Sequence, residues 1–160
     1  MNKVVVLLVF TFVQNFNIQS QNSYFEKYKP LADSLSEVHS IPSSIILAVA
    51  YHESGGGTSQ IAKLLNNHFG IKGKNDLLKT HKIKCSYKYY PSSEESYRGF
   101  CRLVTSKKYY EKLKGSDDVK KWVKSIAASG YAANAERWSN SILKVIYKFE
   151  LNKKEEQPEG

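Results

Sequence analysis

An apolar run that ends in one glutamate and three glycines most constrains how this chain folds. The segment starts at Pro42 and reads PSSIILAVAYHESGGG. Proline is tolerated in the first turn of a helix and glycine is typical of a helix end, so the segment predicts a helix that residues 55–57 stop. On that helix Glu53 lies one turn from Val49 and two turns from Ile46, which places its carboxyl on the apolar face.

A carboxyl group in this position suits acid catalysis. Burial against apolar neighbours disfavours its charged form, and a general acid must hold its proton near neutral pH. The glycines leave open backbone, so a bulky ligand can approach the helix end closely. Two plainer interpretations stay open: Glu53 is exposed at a rim or salt-bridged, and the glycines only end the helix. The neighbouring His52 is expected to pack or hydrogen-bond rather than bind a ligand.

The amino terminus has the order of a signal peptide. Lys3 precedes an apolar run from Val4 to Val13, and polar residues follow. This run is too short to span a bilayer, although a buried N-terminal strand is an alternative. We therefore predict a signal peptide over 1–20, a domain over 21–151 and a polar tail over 152–160, with export to the periplasm, the cell envelope or the medium.

The charge balance points to an anionic partner but does not name it. The chain has a formal net charge of +9. Nucleic acid, an acidic membrane and an anionic wall polymer all attract such a surface. Export disfavours nucleic acid, and the lysines are scattered without a nucleic-acid motif. A solvated basic surface also explains the charge. Cys85 and Cys101 permit one disulfide or two free thiols.

Apolar residues recur at helical spacing through most of the remaining chain. The predicted helices cover 24–38, with a kink or restart at Pro30, then 58–67, 92–113, 116–130 and 135–151. In the third of these Ser92 and Glu95 form a capping box, and Cys101 faces inward. Residues 69–91 lose the helical period and predict short strands or an ordered loop. The fold class is therefore mainly α, with a helical lobe and a small β-lobe or ordered loop at about 69–91.

Four segments, taken in order, resemble one enzyme family. They are IPSSIILAVAYHESGGGTSQIA, NNHFGIK, YPSSEESYRGF and GYAA before a final helix. This combination resembles the glucosaminidases of glycoside hydrolase family 73, which include flagellar peptidoglycan hydrolases. The resemblance implies a lysozyme-like α+β fold that cleaves the bond between N-acetylglucosamine and N-acetylmuramic acid in peptidoglycan. It also implies that Glu53 is the general acid.

Further site residues follow from the same resemblance. Asn67, Phe69 and Gly70 match the segment that shapes the cleft floor, although a helix end followed by a packed aromatic explains them equally well. Tyr131 matches the tyrosine that faces the glutamate, where its phenol can bond a substrate carbonyl or sugar hydroxyl. Trp138 is expected to line the same cleft or to belong to the core.

The second carboxylate that glycosidases usually need is harder to place. Many family members carry it in the β-lobe, where this chain has only Asp76 among many lysines. Asp76 is therefore a candidate base or nucleophile. The alternative is that the N-acetyl group of the substrate is the nucleophile, with Tyr131 orienting it.

Three functions compete at this point. Hydrolysis of peptidoglycan by Glu53 is the first. A lytic transglycosylase also needs one glutamate, but the GLMQ-like segment expected after its ES pair is not found here. A glycan-binding module without activity is the third. No metal or organic cofactor is implied, and we expect a monomer that binds peptidoglycan glycan strands, binds no nucleic acid and keeps no integral membrane segment once its signal peptide is removed.

Overall fold

The computed structural model describes residues 23–153, and nearly all regular structure within them is helical. The helices, in chain order, are α1 (23–39), α2 (Ser43–Ser54), α3 (Gln60–Leu65), α4 (Leu77–Thr80), α5 (Ser93–Thr105), α6 (Tyr110–Leu113), α7 (Val119–Ile126), a π-helical turn (Ala127–Tyr131) and α8 (Ala135–Lys148). This confirms the predicted mainly α fold. None of these helices is long and apolar enough to cross a membrane.

Helix α2 is the centre of the hydrophobic core. Its residues from Ser44 to Ala50 are buried on every side of the helix, as expected for an uninterrupted apolar run. It packs against α5, α7 and α8. Pro42 forms its N-cap, and Gly55 ends it in the left-handed conformation with φ 58°. The sequence boundaries of this helix are therefore confirmed.

Helix α1 differs from its prediction in two respects. It runs through Pro30 without a restart. Tyr24, Tyr28 and Leu35 are buried as the period predicts, but Val38 is 70% exposed. Val38 lies in the last turn of the helix, beyond the part that packs on the core.

The small lobe between α3 and α5 is an ordered loop with little strand structure. Its one antiparallel bridge among the described residues joins Lys72 to Tyr87. Backbone hydrogen bonds from Lys88 N–H to the Ile71 carbonyl and from Gly73 N–H to the Ser86 carbonyl join its two sides. Side-chain amides add to them: Asn67 donates to the carbonyls of Ile71 and Lys88, both at 2.8 Å. Asn75 does the same for Cys85 and Tyr87. The ordered-loop alternative is thus confirmed.

The predicted helix over 92–113 is two helices. Ser92 caps α5 by accepting a hydrogen bond from the Glu95 backbone N–H, as expected. The helix then ends at Thr105, and α6 starts only at Tyr110. Gly115 therefore follows α6 and does not mark the first break. Tyr109 and Tyr110 turn their rings towards Trp122 of α7, a tertiary contact that the local pattern does not contain.

The two cysteines are free thiols in the structure. Cys101 is buried on α5, as predicted, and burial raises the pKa of its thiol to about 12. A neutral, inaccessible thiol behaves as a small apolar side chain. The predicted signal peptide over 1–20 and most of the predicted tail lie outside the described residues.

A buried polar cluster joins α1 to the loop after α3. The His68 Nδ1 atom lies 2.9 Å from the Tyr24 hydroxyl, and its Nε2 atom lies 3.0 Å from Ser93 Oγ. Tyr24 in turn bonds Tyr97 at 3.0 Å. Burial, assisted by the charge of Lys27, lowers the pKa of His68 to about 4. His68 is therefore neutral in the folded protein near neutral pH.

Stability should consequently fall as the solution is acidified. An unfolded histidine has a pKa near 6.5, so between about pH 6.5 and pH 4 the unfolded state binds the additional proton. The stabilisation from neutral His68 is complete above this window and is lost as pH falls through it. Its slope is at most about 1.4 kcal/mol per pH unit for one proton. Urea unfolding at pH 7 and pH 5 measures it.

His68→Gln should flatten this pH dependence even if it lowers stability at pH 7. The matched control is His52→Gln, since His52 is exposed on α2. That control should keep the wild-type slope. An equal slope in His68→Gln and wild type would contradict the assignment to His68.

Candidate active site

A cleft of about 330 Å³ opens where the end of α2 meets the small lobe and the π-helical turn. Its lining residues are Glu53, Phe69, Gly70, Ile71, Lys72, Leu103, Lys107, Ser129, Gly130 and Tyr131. Glu53 is the one carboxylate among them. Four residues predicted for the site are therefore brought together here: Glu53, Phe69, Gly70 and Tyr131.

The carboxyl group of Glu53 is held by a buried tryptophan. The Trp138 indole Nε1–H donates to Glu53 Oε1 at 2.6 Å, which joins the last turn of α2 to the first turns of α8. Trp138 is 7% exposed and does not line the cleft. Trp138 is therefore a core residue that contacts the carboxyl group from the protein interior, which is the second of the two predicted alternatives. One oxygen of Glu53 is thus fixed and the other is available to the cleft.

The second oxygen of Glu53 lies beside Gly70. A Cβ atom placed on Gly70 would be 3.3 Å from Glu53 Oε2, closer than most real Cβ contacts. Gly70 also has φ 64°, a left-handed conformation that side chains disfavour. Both features explain why glycine occupies this position. A side chain here would crowd the oxygen that faces the cleft.

Tyr131 lines the opposite part of the cleft and its phenol is already engaged. Its hydroxyl donates to the Phe69 carbonyl oxygen at 2.6 Å, so the oxygen keeps its acceptor capacity for a ligand. Burial, followed by the nearby charge of Glu53, raises the pKa of this phenol well above its ordinary value. Tyr131 is therefore a neutral group that can accept a hydrogen bond in the cleft.

The residues that lead into GYAA form the end of the α7 helix. Residues Ala127–Tyr131 continue α7 as the π-helical turn, within which Gly130 leaves the helical conformation at φ 84° and ψ 16°. Glycine commonly takes this left-handed conformation where a helix ends. The turn brings Ser129, Gly130 and Tyr131 to the cleft before α8 starts. The predicted end of the helix at Gly130 is therefore confirmed.

Two other predicted site residues lie apart from the cleft surface. Asn67 is 1% exposed, and both its amide nitrogen and its oxygen are bonded to backbone, the oxygen accepting from the N–H groups of Phe69 and Ile71. It shapes the cleft from beneath by fixing this loop. Asp76 is exposed at the start of α4 and does not line the cleft.

The cleft also contains residues that sequence reasoning did not select. Leu103 and Lys107 come from the end of α5 and the turn after it, and Lys72 comes from the bridge of the small lobe. Leu103 lies three residues after Phe100, a helical spacing that indicates packing rather than a site. Lys72 is the last residue of the NNHFGIK segment, but it was not selected, and Lys107 is one among many scattered basic residues.

Comparison with protein families and known sequences gives consistent matches. The glucosaminidase family, described as mannosyl-glycoprotein endo-β-N-acetylglucosaminidase, matches residues 17–151. The peptidoglycan hydrolase FlgJ of Vibrio cholerae is 25% identical over 151 residues, which cover 83% of this chain and 45% of that protein. The exo-glucosaminidase LytG of Bacillus subtilis is 25% identical over 156 residues, covering 87% and 55%. The chain thus spans about half the length of these relatives.

Solved structures share the fold at low sequence identity. The catalytic domain of the autolysin Auto from Listeria monocytogenes has a TM-score of 0.68 at 19% identity, covering 83% of this chain and 86% of that domain. A peptidoglycan hydrolase from Sphingomonas sp. A1 has a TM-score of 0.61 at 21% identity, covering 86% and 99%. At these identities the likeness establishes the fold alone.

The contact between Trp138 and Glu53 has a direct spectroscopic test. The chain has two tryptophans, so two indole N–H signals are expected in a nitrogen–proton correlation spectrum. A hydrogen bond to a charged acceptor is stronger than one to a neutral acceptor. The Trp138 signal should therefore move upfield as Glu53 gains a proton on acidification.

Trp122 is the internal control, since its indole donates to the Ser116 carbonyl oxygen, which does not titrate. Its signal should stay in place over the same pH range. The Trp138 shift should vanish in Glu53→Gln. A Trp138 signal that still titrates in that variant would show that another group causes the shift.

Proposed function

This chain belongs to the glucosaminidase family, and we propose that it hydrolyses the glycan strands of peptidoglycan at the bond between N-acetylglucosamine and N-acetylmuramic acid. The observation that carries the proposal is the single carboxyl group of Glu53, with one oxygen held by Trp138 and the other beside Gly70 in the cleft. Peptidoglycan hydrolysis is also the activity in the names of the FlgJ relative and of the Sphingomonas protein.

Glu53 supplies the proton in this proposal. The indole of Trp138 occupies Oε1, so Oε2 is the atom that protonates the glycosidic oxygen of the leaving sugar. Fixing the carboxyl in this way removes the need to order it at the moment of reaction. The absence of a Cβ at residue 70 lets the glycosidic oxygen approach Oε2.

In this proposal the nucleophile is the N-acetyl group of the substrate. No other carboxylate among residues 23–153 lines the cleft, and the exposed Asp76 lies elsewhere. We infer that the N-acetyl carbonyl oxygen attacks the anomeric carbon, and that water then opens the resulting ring intermediate. In this proposal the Tyr131 hydroxyl accepts a hydrogen bond from the N-acetyl N–H and so orients this group; its presence in the cleft lining supports the role. Such substrate assistance is a known exception to the use of two carboxylates.

Lytic transglycosylation is the alternative reaction that also needs only one glutamate as general acid. A lytic transglycosylase protonates the same kind of oxygen but closes a 1,6-anhydro ring on the muramic acid. The membership of the chain in the glucosaminidase family supports hydrolysis instead. Action on peptidoglycan also requires access to the cell envelope, and we propose that residues 1–20 direct the chain there as a signal peptide.

Replacement of Glu53 by glutamine should abolish lysis of purified cell walls. Glutamine keeps the shape of the side chain and can still accept from Trp138, but it cannot deliver a proton. The rate should fall by about 10²–10⁴-fold, the usual contribution of a general acid. The measurement is the release of reducing ends from purified wall, together with thermal unfolding to verify the fold.

Asp76→Asn is the matched control, since it makes the same chemical change outside the cleft. It should retain most of the activity. A collapse in both variants would make Asp76 a second catalytic acid and contradict substrate assistance. Near-normal lysis by a folded Glu53→Gln variant would remove Glu53 from the mechanism.

A further inference from the structure

The electrostatic character of the cleft is not explained by acid catalysis alone. Two lysines, Lys72 and Lys107, flank the single carboxylate Glu53. They reach the cleft from different parts of the fold, one from the small lobe and one from the turn after α5. The cleft lining is therefore cationic, and more so when Glu53 carries its proton.

Lys72 is exposed and packs over one aromatic ring. Its Nζ atom lies 3.7 Å from the centroid of the Tyr87 ring, its partner in the antiparallel bridge. Tyr87 also borders Gly70, since a Cβ at that glycine would lie 3.9 Å from the edge of the ring. The same hypothetical Cβ would lie 3.3 Å from Glu53 Oε2. The Tyr87 ring and the Glu53 carboxyl therefore both border Gly70.

Lys107 is half-buried in the turn after α5, and Leu103, four residues before it, also lines the cleft. Within residues 23–153 neither Lys72 nor Lys107 has a carboxylate within ion-pair distance. The arginines of the preceding helix α5 are paired instead: Arg98 and Arg102 bond the carboxylates of Glu94 and Glu95. The two cleft lysines are consequently available to an anionic ligand.

Peptidoglycan carries the matching charge, whereas many other N-acetylglucosamine polymers do not. Every second sugar of its strands is muramic acid, whose lactyl ether ends in a carboxyl group. That carboxyl is either free or linked to a stem peptide, which has carboxylates of its own. A polymer of N-acetylglucosamine alone has the same acetamido groups and no negative charge.

We propose that Lys72 and Lys107 form a carboxylate-binding site beside Glu53, which selects strands that bear muramic acid over neutral N-acetylglucosamine polymers. This inference rests on the proposed function, because it assigns the substrate groups that the same cleft binds. The ammonium groups bind the carboxylates of the lactyl or peptide part of the strand. With the glycan strand bound in this way, one of its glycosidic oxygens lies beside Glu53.

Equilibrium binding to soluble glycan strands tests this site apart from turnover. The Glu53→Gln chain serves as the background, so that no ligand is consumed. Three ligands are compared: strands with stem peptides, strands whose stems an amidase has removed, and strands whose carboxylates have been coupled to ethanolamine. The last ligand keeps the glycan and loses the charge.

In this background the double variant Lys72→Ala, Lys107→Ala should bind anionic strands about tenfold more weakly, which corresponds to about 1.4 kcal/mol for two partly exposed charge contacts. It should bind the ethanolamine-coupled strands as the parent does. Lys108→Ala is the matched control, since this exposed lysine follows Lys107 and does not line the cleft. It should bind all ligands as the parent does.

The two anionic ligands identify the source of the carboxylate. If the double variant weakens binding only to strands with stems, the site binds peptide carboxylates; if it weakens binding only to the amidase-treated strands, the site binds the free lactyl carboxylate. Weaker binding to both ligands shows that the site accepts either carboxylate. Equal affinity of the parent for charged and coupled strands would overturn the proposal, as would an equal loss for both in the double variant. Wall that the native chain leaves uncut would instead contradict the proposed hydrolysis, since this binding measurement does not depend on turnover.

Discussion

The cleft depends on the packing of α2 against α8. One hydrogen bond, between Trp138 of α8 and Glu53 in the last turn of α2, completes this packing. Helix α2 is buried along almost its whole length, and only its last turn comes near solvent. Glu53 lies in that turn, and Trp138 of α8 donates to it at 2.6 Å. The buried part of α2 fixes the position of the carboxyl, and the indole fixes its orientation. Without this packing Glu53 would be a mobile surface side chain.

Apart from Lys72 and Lys107, the cleft around Glu53 is held together by hydrogen bonds to backbone groups. Asn67 uses its whole amide to hold the loop that carries Phe69 and Gly70. The Phe69 carbonyl then accepts the hydroxyl of Tyr131, which the π-helical turn delivers. A single connected set of hydrogen bonds therefore joins the small lobe to the helical lobe. This rigidity suits a mechanism in which one acid and the substrate share the chemistry.

Local patterns predicted those features whose causes are local. The apolar run of α2, its limits at Pro42 and Gly55, and the serine cap of α5 all follow from residues a few positions apart. Helical spacing places Glu53 beside buried neighbours, and the family resemblance then selected it as the general acid. The buried face of α7 is equally predictable from the sequence. Its residues Val119, Trp122, Val123 and Ile126 follow the helical period and are buried.

Features that depend on tertiary contacts could not be predicted from local sequence patterns. The bond between Glu53 and Trp138 joins residues 85 positions apart, and the sequence could only offer Trp138 as a cleft or core residue. The break between α5 and α6 contains neither glycine nor proline. Neither cleft lysine was predicted, although Lys72 ends the NNHFGIK segment, because only the fold brings Lys72 and Lys107 into one cleft.

The chemical form of the products tests the central claim most directly. If Glu53 protonates the leaving oxygen and water completes the reaction, each cut leaves an N-acetylglucosamine with a free reducing end. Purified peptidoglycan digested by the chain and treated with borohydride should therefore yield fragments with reduced N-acetylglucosamine termini in mass spectrometry. Fragments that end in 1,6-anhydro-muramic acid would contradict hydrolysis and identify a transglycosylase, and an undigested wall would identify a binding module.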